Sequence, residues 1–294
     1  MIPLLRDAGL SALVADEPLE TLAEGLEFTE GPLWLPDNAL LFQDIKAERT
    51  YRVRPGQPAE VLRDQTGAAN GQTFGPDGLI YFCEQNGRRV SRMRLDGSAV
   101  EPVAETWEGK RLNSPNDIVA RPDGELYFTD PPYGVSDEDK EMPFNGVFAL
   151  STSGTLRLVV ADGFEKPNGL AFSPDGKILY VCDTAKYHVR SFVLGASGVV
   201  EPGSEQIFCS MDPGQPGGPD GLKVDREGRV YVAVALGIWV FDPEGELLGI
   251  LAMPKRPSNL NWWGRDAHSL AITAIDTVHR IRLKVEGLIP PFLP

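Results

Sequence analysis

Asn168-Gly-Leu-Ala-Phe-Ser-Pro-Asp175 decides the fold, because its pattern returns five more times along the 294-residue chain. The counterparts are Glu30-Gly-Pro-Leu-Trp-Leu-Pro-Asp37, Asn70-Gly-Gln-Thr-Phe-Gly-Pro-Asp77, Asn116-Asp-Ile-Val-Ala-Arg-Pro-Asp123, Asp220-Gly-Leu-Lys-Val-Asp-Arg-Glu227 and Asn259-Leu-Asn-Trp-Trp-Gly-Arg-Asp266. Each opens on a lead residue whose side chain ends in oxygen, seven positions before a turn acid. The leads are 40, 46, 52, 52 and 39 residues apart. A period of roughly 40 to 50 residues marks a solenoid or propeller, in which equivalent positions of successive units converge on one axis.

Working outward, each lead starts an apolar run, a turn of the Pro-Asp-Gly kind follows, and a second β-rich run comes next: Ala39 to Gln43, Leu79 to Cys83, Glu125 to Thr129, Ile178 to Cys182 and Arg229 to Ala233. That is a hairpin pattern. Two more polar runs after each hairpin, such as Arg89 to Leu95 with Val100 to Ala104, complete a four-stranded blade. The sixth repeat is followed only by Val278 to Val285, one strand short, while Leu19 to Glu24 stands before the first repeat without a partner. The fold expected is therefore an all-β, six-bladed propeller over residues 19–294, closed by pairing of the amino-terminal strand with the last blade and preceded by an extension at residues 1–18. The longest insertion, Pro131 to Asn145, is expected at the open face, where loops shape a pocket and could act as a lid.

Composition narrows the partners. A net charge of −14 opposes nucleic acid and anionic membrane surfaces, both of which demand a basic face. Nothing resembles a signal peptide or a membrane span. Cys83, Cys182 and Cys209 cannot all pair, and small buried thiols suit the reducing cytoplasm.

If the leads all face one mouth of the central channel, they form a ring of hard oxygen donors. With only His188, His268 and His279 in the chain, and none at metal-binding spacing, calcium is favoured over zinc, with magnesium or manganese less suited. Glu30 and Asp220 balance a divalent charge. Asn70 and Asn259 read as turn starters, and Trp262 and Trp263 as core. The end of the second strand of each hairpin should neighbour the lead, which puts Asp44, Glu84, Asp130 and Asp183 behind the ring as a second layer that orients the ligand amides.

Glu30-Gly-Pro, Asn113-Ser-Pro-Asn-Asp117, Tyr127-Phe-Thr-Asp-Pro-Pro-Tyr-Gly134, Pro167-Asn-Gly-Leu170 and Pro219-Asp-Gly-Leu222 resemble the signature segments of the gluconolactonase/regucalcin (senescence marker protein) family, in particular its sugar-lactonase branch. The likeness runs from about Leu19 to Val285. It implies one divalent ion, usually calcium, at the top of the channel and hydrolysis of a lactone such as gluconolactone. Carried over by position, Glu30, Asn168 and Asp220 would hold the metal, Asn116 would be a further ligand or a substrate contact, and Asp220 would double as general base. Ser114 stands where animal members place an arginine that contacts substrate, and Gln85 where many sugar-lactonase relatives have a histidine. A hydroxyl-rich ring calls for polar partners, and Ser114, Asn116, Gln72 and Arg111 lie near the leads. Two other functions fit the same scaffold: a hydrolase of phosphotriesters and fluorophosphates, and a propeller that binds calcium without catalysis.

Overall fold

The computed structural model describes residues 2–294; of the amino-terminal extension, residue 1 lies outside them. Six sheets are arranged as a β-propeller. From the axis outward, blade 1 is Thr29–Trp34, Leu40–Asp44, Arg49–Val53 and Glu60–Asp64; blade 2 is Ala69–Phe74, Ile80–Glu84, Arg89–Met93 and Glu101–Ala104; blade 3 is Ile118–Ala120, Leu126–Asp130, Gly146–Leu150 and Leu156–Val160. Blade 4 comprises Pro167–Phe172, Ile178–Asp183, His188–Val193 and Gln206–Ser210. Blade 5 has Leu222–Val224, Val230–Val234, Gly237–Phe241 and Leu247–Ala252, and blade 6 has Asn259–Trp263, Ser269–Ala274 and Thr277–Arg282.

Both of the last two blades borrow from the amino terminus. Glu20–Glu24 pairs with Thr277–Arg282 as the outer strand of blade 6. Leu4–Asp7, within residues 1–18, adds a fifth strand to blade 5 beside Leu247–Ala252. Exposed edges that could pair with other chains are thereby covered.

The turns explain why the repeat is written as it is. In blades 2 to 5 the residue after the turn acid is a glycine with positive φ, between 69° and 97° at Gly78, Gly124, Gly176 and Gly228, a backbone shape that side chains oppose. The acid itself caps the turn: Asp77 Oδ1 accepts from Leu79 N–H at 3.2 Å and Asp175 Oδ1 from Lys177 N–H at 3.1 Å. Most of the core lies between blades. Tyr127 of blade 3 meets Phe172 of blade 4 edge-on at 5.0 Å, and Tyr231 of blade 5 meets Trp262 of blade 6 at 5.3 Å. Trp262 and Trp263 are both buried there.

The carboxy-terminal tail crosses the lower mouth of the channel. Leu288 to Pro291, together with Gln72, Lys223 and Asn261, enclose a cavity of about 180 Å³. Phe292 and Leu293 pack against the aromatic and aliphatic residues of blades 1 to 3 and 6. Phe292→Ala should lower stability by roughly 1–3 kcal/mol, less than a fully buried Phe would cost because the ring is half-buried. Urea denaturation measures it, and an unchanged midpoint would mean the tail is a passive cover.

Candidate metal and substrate site

Each inner strand runs down the channel wall, so its lead sits at the upper mouth and residues two or three further on reach the lower one. In blades 1, 2 and 4 the strand pairing shifts register across the lead, between Glu30 and Leu33, Ala69 and Gln72, and Pro167 and Leu170. Bulges of this kind re-aim a side chain out of the sheet. In four of the six blades the residue after the lead is a glycine, and the close approach of the next blade requires it. A Cβ on Gly31 would come within 2.1 Å of the Asn70 carbonyl oxygen, and one on Gly169 within 2.4 Å of that of Asp220. At this level neighbouring blades bond directly: Gly71 N–H donates to the Asn116 carbonyl at 2.9 Å, Gly169 N–H to Asp220 at 3.0 Å and Gly221 N–H to Ser258 at 2.8 Å.

Above this collar a cavity of about 550 Å³ opens to the surface, and Glu30, Asn70, Asn116, Tyr133, Asn168 and Asp220 all line it. The orientation of Asn168 is fixed by its neighbours. Thr184 spends its hydroxyl proton on the Pro219 carbonyl at 2.7 Å, so it can only accept from the Asn168 amide nitrogen, at 3.0 Å. Tyr133, from the Pro131 to Asn145 insertion, takes the same nitrogen at 3.3 Å. Asn168 Oδ1 is thereby left to the cavity. Glu30 likewise uses Oε2 for the Gly31 N–H and the Asn259 amide, each at 2.9 Å, which leaves Oε1. Asn70 Oδ1 is buried without any hydrogen-bond donor. An orphaned acceptor of that kind needs a partner.

Charge makes the same demand. Burial, then the Asp220 carboxylate, raise Glu30 well above the usual carboxylate range. Burial is also the main cause for Asp220, which is pushed up to about 7, with Arg256 opposing and Asp117 adding to the rise. Asp117 belongs to this group although it is not a lead. It occupies the position where four other blades have glycine, reaches the Asn259 amide at 3.4 Å, and lies 3.9 Å from the Lys223 ammonium. With Asp117 set against Lys223, Glu30 and Asp220 carry two negative charges into the channel when ionised, and Arg256 offsets them only from beyond ion-pair distance. A divalent cation fits that balance and this set of two carboxylates with neutral amide oxygens. Among the described residues no cluster of three His, Cys, Asp or Glu side chains is spaced for a metal, so amide donors are essential to the fit.

In protein stripped of divalent cations, stability should therefore fall as pH rises from about 4 to about 7. Over that window unfolded Asp220 has lost its proton and the folded form still holds it, so the folded state binds more protons and the slope is negative. Cation binding needs the ionised forms and works the other way. The drop in Tm caused by chelator should be larger at pH 8 than at pH 5, and an equal drop at both would remove Glu30 and Asp220 from the metal site.

The acids behind the leads act on the backbone. Asp44 accepts the N–H groups of Glu27 and Phe28 at 2.8 and 2.9 Å, Asp130 those of Asn113 and Ser114 at 2.8 Å each, and Asp183 those of Glu165 and Lys166 at 2.8 and 3.0 Å. Each time these are the residues three and two before the lead, so the carboxylate clamps the segment that delivers it. Glu84 differs and pairs with Arg89 at 2.9 Å. Contact with the ligand amides, which the sequence suggested, is replaced by this clamp.

Three of the four residues expected to contact substrate lie outside the cavity lining. Gln72 faces the lower mouth, where its amide donates to the Gly31 carbonyl at 2.6 Å. Ser114 is fully buried and its hydroxyl accepts from Gly134 N–H at 2.8 Å, tying down the insertion. Arg111 is exposed on a two-stranded ribbon, Thr106–Trp107 with Lys110–Arg111, that projects between blades 2 and 3. Only Asn116 remains in place. Among the leads, Asn259 turns sideways to bond Glu30 and Asp117, whereas Asn70 faces the cavity.

A propeller with an oxygen-lined cavity on its axis defines the class. A profile of the SMP-30/Gluconolactonase/LRE-like region matches residues 28–276, and the chain belongs to that family. It is 34% identical to the gluconolactonase of Zymomonas mobilis, over 92% of this chain and 82% of that one, and 29% identical to the pentonolactonase XacC of Haloferax volcanii, over 83% and 80%. The solved structure of a gluconolactonase from Xanthomonas campestris superimposes with a TM-score of 0.87 at 31% identity, covering 96% of this chain and 95% of that one. The chain is accordingly a member of a family of lactone-hydrolysing enzymes. Among the described residues no helix is long and apolar enough to cross a membrane.

Proposed function

We propose that the protein is a divalent-metal-dependent lactonase that opens a sugar lactone such as gluconolactone to the aldonic acid. The reading rests above all on one observation: Glu30, Asn168 and Asp220, far apart in sequence, line one cavity with oxygens left free. Glu30 Oε1, Asn168 Oδ1 and the Asp220 carboxylate would hold the ion, with Asn116 and Asn70 beside them for substrate or a further ligand. Calcium suits such a set of hard oxygens best, ahead of magnesium, manganese or zinc. When bound, the ion would polarise the lactone carbonyl and carry the charge that develops on its oxygen.

The chain's own groups supply the remainder. Asp220 takes a proton from the water whose oxygen bonds to the carbonyl carbon and returns it to the ring oxygen as the ring C–O bond breaks; the acid formed loses its own proton to solvent, leaving a carboxylate and a hydroxyl. A carboxylate is a modest base, sufficient for an activated cyclic ester. Tyr133 keeps its proton, being pushed up to about 12 mainly by burial, and so offers a fixed polar contact at the wall. Gluconolactone, an aliphatic lactone and a phosphotriester assayed side by side, before and after chelation and with calcium restored, test the proposal. Chelator-sensitive turnover of gluconolactone is expected. Preference for the phosphotriester would redirect the site to phosphoryl chemistry, and background rates throughout would leave a binding protein.

A further inference from the structure

The cavity rim is basic on a chain whose net charge is −14. Three cations line it, Lys46, Lys166 and Arg256, and none of them has a carboxylate within ion-pair distance among the described residues. Each is nevertheless located by packing. The Lys46 ammonium stands 5.6 Å over the Phe28 ring and that of Lys166 5.4 Å over Tyr133, both aromatics of the cavity wall. Arg256 lays its stem on Gly217, where a Cβ would come within 3.0 Å of Arg256 Cδ. The acids that line the same cavity are Glu30 and Asp220, both at its floor and both balanced once a divalent cation is bound. Asp117 is countered by Lys223. Arg256 acts on Asp220 from beyond ion-pair distance, and Lys46 and Lys166 are the rim charges left without a partner.

A neutral sugar lactone has no use for them. We propose that the preferred substrate is a lactone bearing an anionic group at the end of its carbon chain remote from the ester carbonyl, such as a carboxylate, phosphate or sulfonate, which Lys46 and Lys166 receive while the carbonyl lies at the floor. The inference rests on the lactonase reading and deepens it. Attraction of this kind is weakened by salt and is spread over several exposed charges.

The test compares glucono-1,5-lactone, its 6-phosphate and glucaro-1,5-lactone on the calcium-loaded full chain at low and high ionic strength. One or both charged lactones should exceed the neutral one in kcat/KM by roughly tenfold at low salt, the gap closing at high salt. Whichever is favoured tells phosphate from carboxylate. In the Lys46→Gln, Lys166→Gln double variant the charged-to-neutral ratio should fall towards one. Calorimetry adds a readout independent of turnover: the doubly charged aldarate should bind the wild type more tightly than gluconate, and the double variant should lose that difference. Hydrolysis of all three lactones with equal efficiency and no salt effect overturns the inference and leaves the lactonase standing. Tighter aldarate binding without hydrolysis of any lactone retains the anion site and overturns the lactonase. Equal binding of the two acids, without turnover, overturns both.

Discussion

On the proposed mechanism, Asp220→Asn should lower kcat/KM for a lactone by about 10²–10⁴, the usual penalty for losing a general base. The amide keeps an oxygen for the ion and the shape of the site, but it cannot take a proton. The wild-type carboxyl lines the cavity beside the Asn168 amide and, kept ionised by a bound cation, is free to accept a proton; its rise to about 7 belongs to the metal-free protein. Turnover should be compared at matched metal content, established by elemental analysis, so that loss of the ion is not mistaken for loss of the base. Near wild-type turnover in loaded Asp220→Asn would take the proton transfer away from this residue.

The second large effect is on the scaffold. Gly169→Ala should destabilise the protein by about 3 kcal/mol, the top of the usual range for overpacking, because there is no room to relax. Its new methyl would meet the Asp220 carbonyl oxygen at 2.4 Å and the Gly221 Cα at 2.6 Å, backbone atoms that cannot swing away. Blades 4 and 5 would have to part at the level where Asn168 and Asp220 emerge, so the fraction that folds should also bind calcium poorly. Gly176→Ala is a useful comparison, because its methyl would meet only Pro122 side-chain atoms at 3.4 Å or more, leaving the φ of 69° as the chief cost. A loss of less than about 1 kcal/mol at Gly169 would show that the collar can open.

What the sequence made legible follows the physics that writes itself into local pattern. Turn acids, positive-φ glycines and alternating apolar strands are short-range features, and they give the hairpins and the sixfold count directly. Equivalent positions of a propeller face one axis, which put all six leads on the channel; the family resemblance then singled out Glu30, Asn168 and Asp220 as the metal ligands. Asn70 and Asn259 show the limit. Both read alike in the chain, yet a register shift beside Asn70 leaves its oxygen in the cavity without a donor, and a regular pairing of Asn259 with Thr273 goes with a side chain turned toward Glu30 and Asp117. Bulges depend on the partner strand and leave little trace in residue type. Asp117 did leave one: it is an acid where four other repeats have glycine, and that departure could have marked it as a channel residue. Ser114, Gln72 and Arg111 were chosen for closeness along the chain, but two residues further down the inner strand bring Gln72 to the lower mouth, the Asp130 clamp holds Ser114 in the interior, and an insertion carries Arg111 outward.

Because the first two dozen residues complete the last two sheets, the ring has no finished form while the protein is still being made. On the ribosome blades 1 to 4 can assemble in order, but Leu4–Asp7 must wait for Leu247–Ala252 and Glu20–Glu24 for Thr277–Arg282. Pairings across such long stretches of chain are slow to form. Glu30 at the start and Asp220 near the end meet only when that closure occurs, so the proposed cation site should form as one of the last events of folding, and an ion bound there should act as a latch on the closed circle rather than as a nucleus for it.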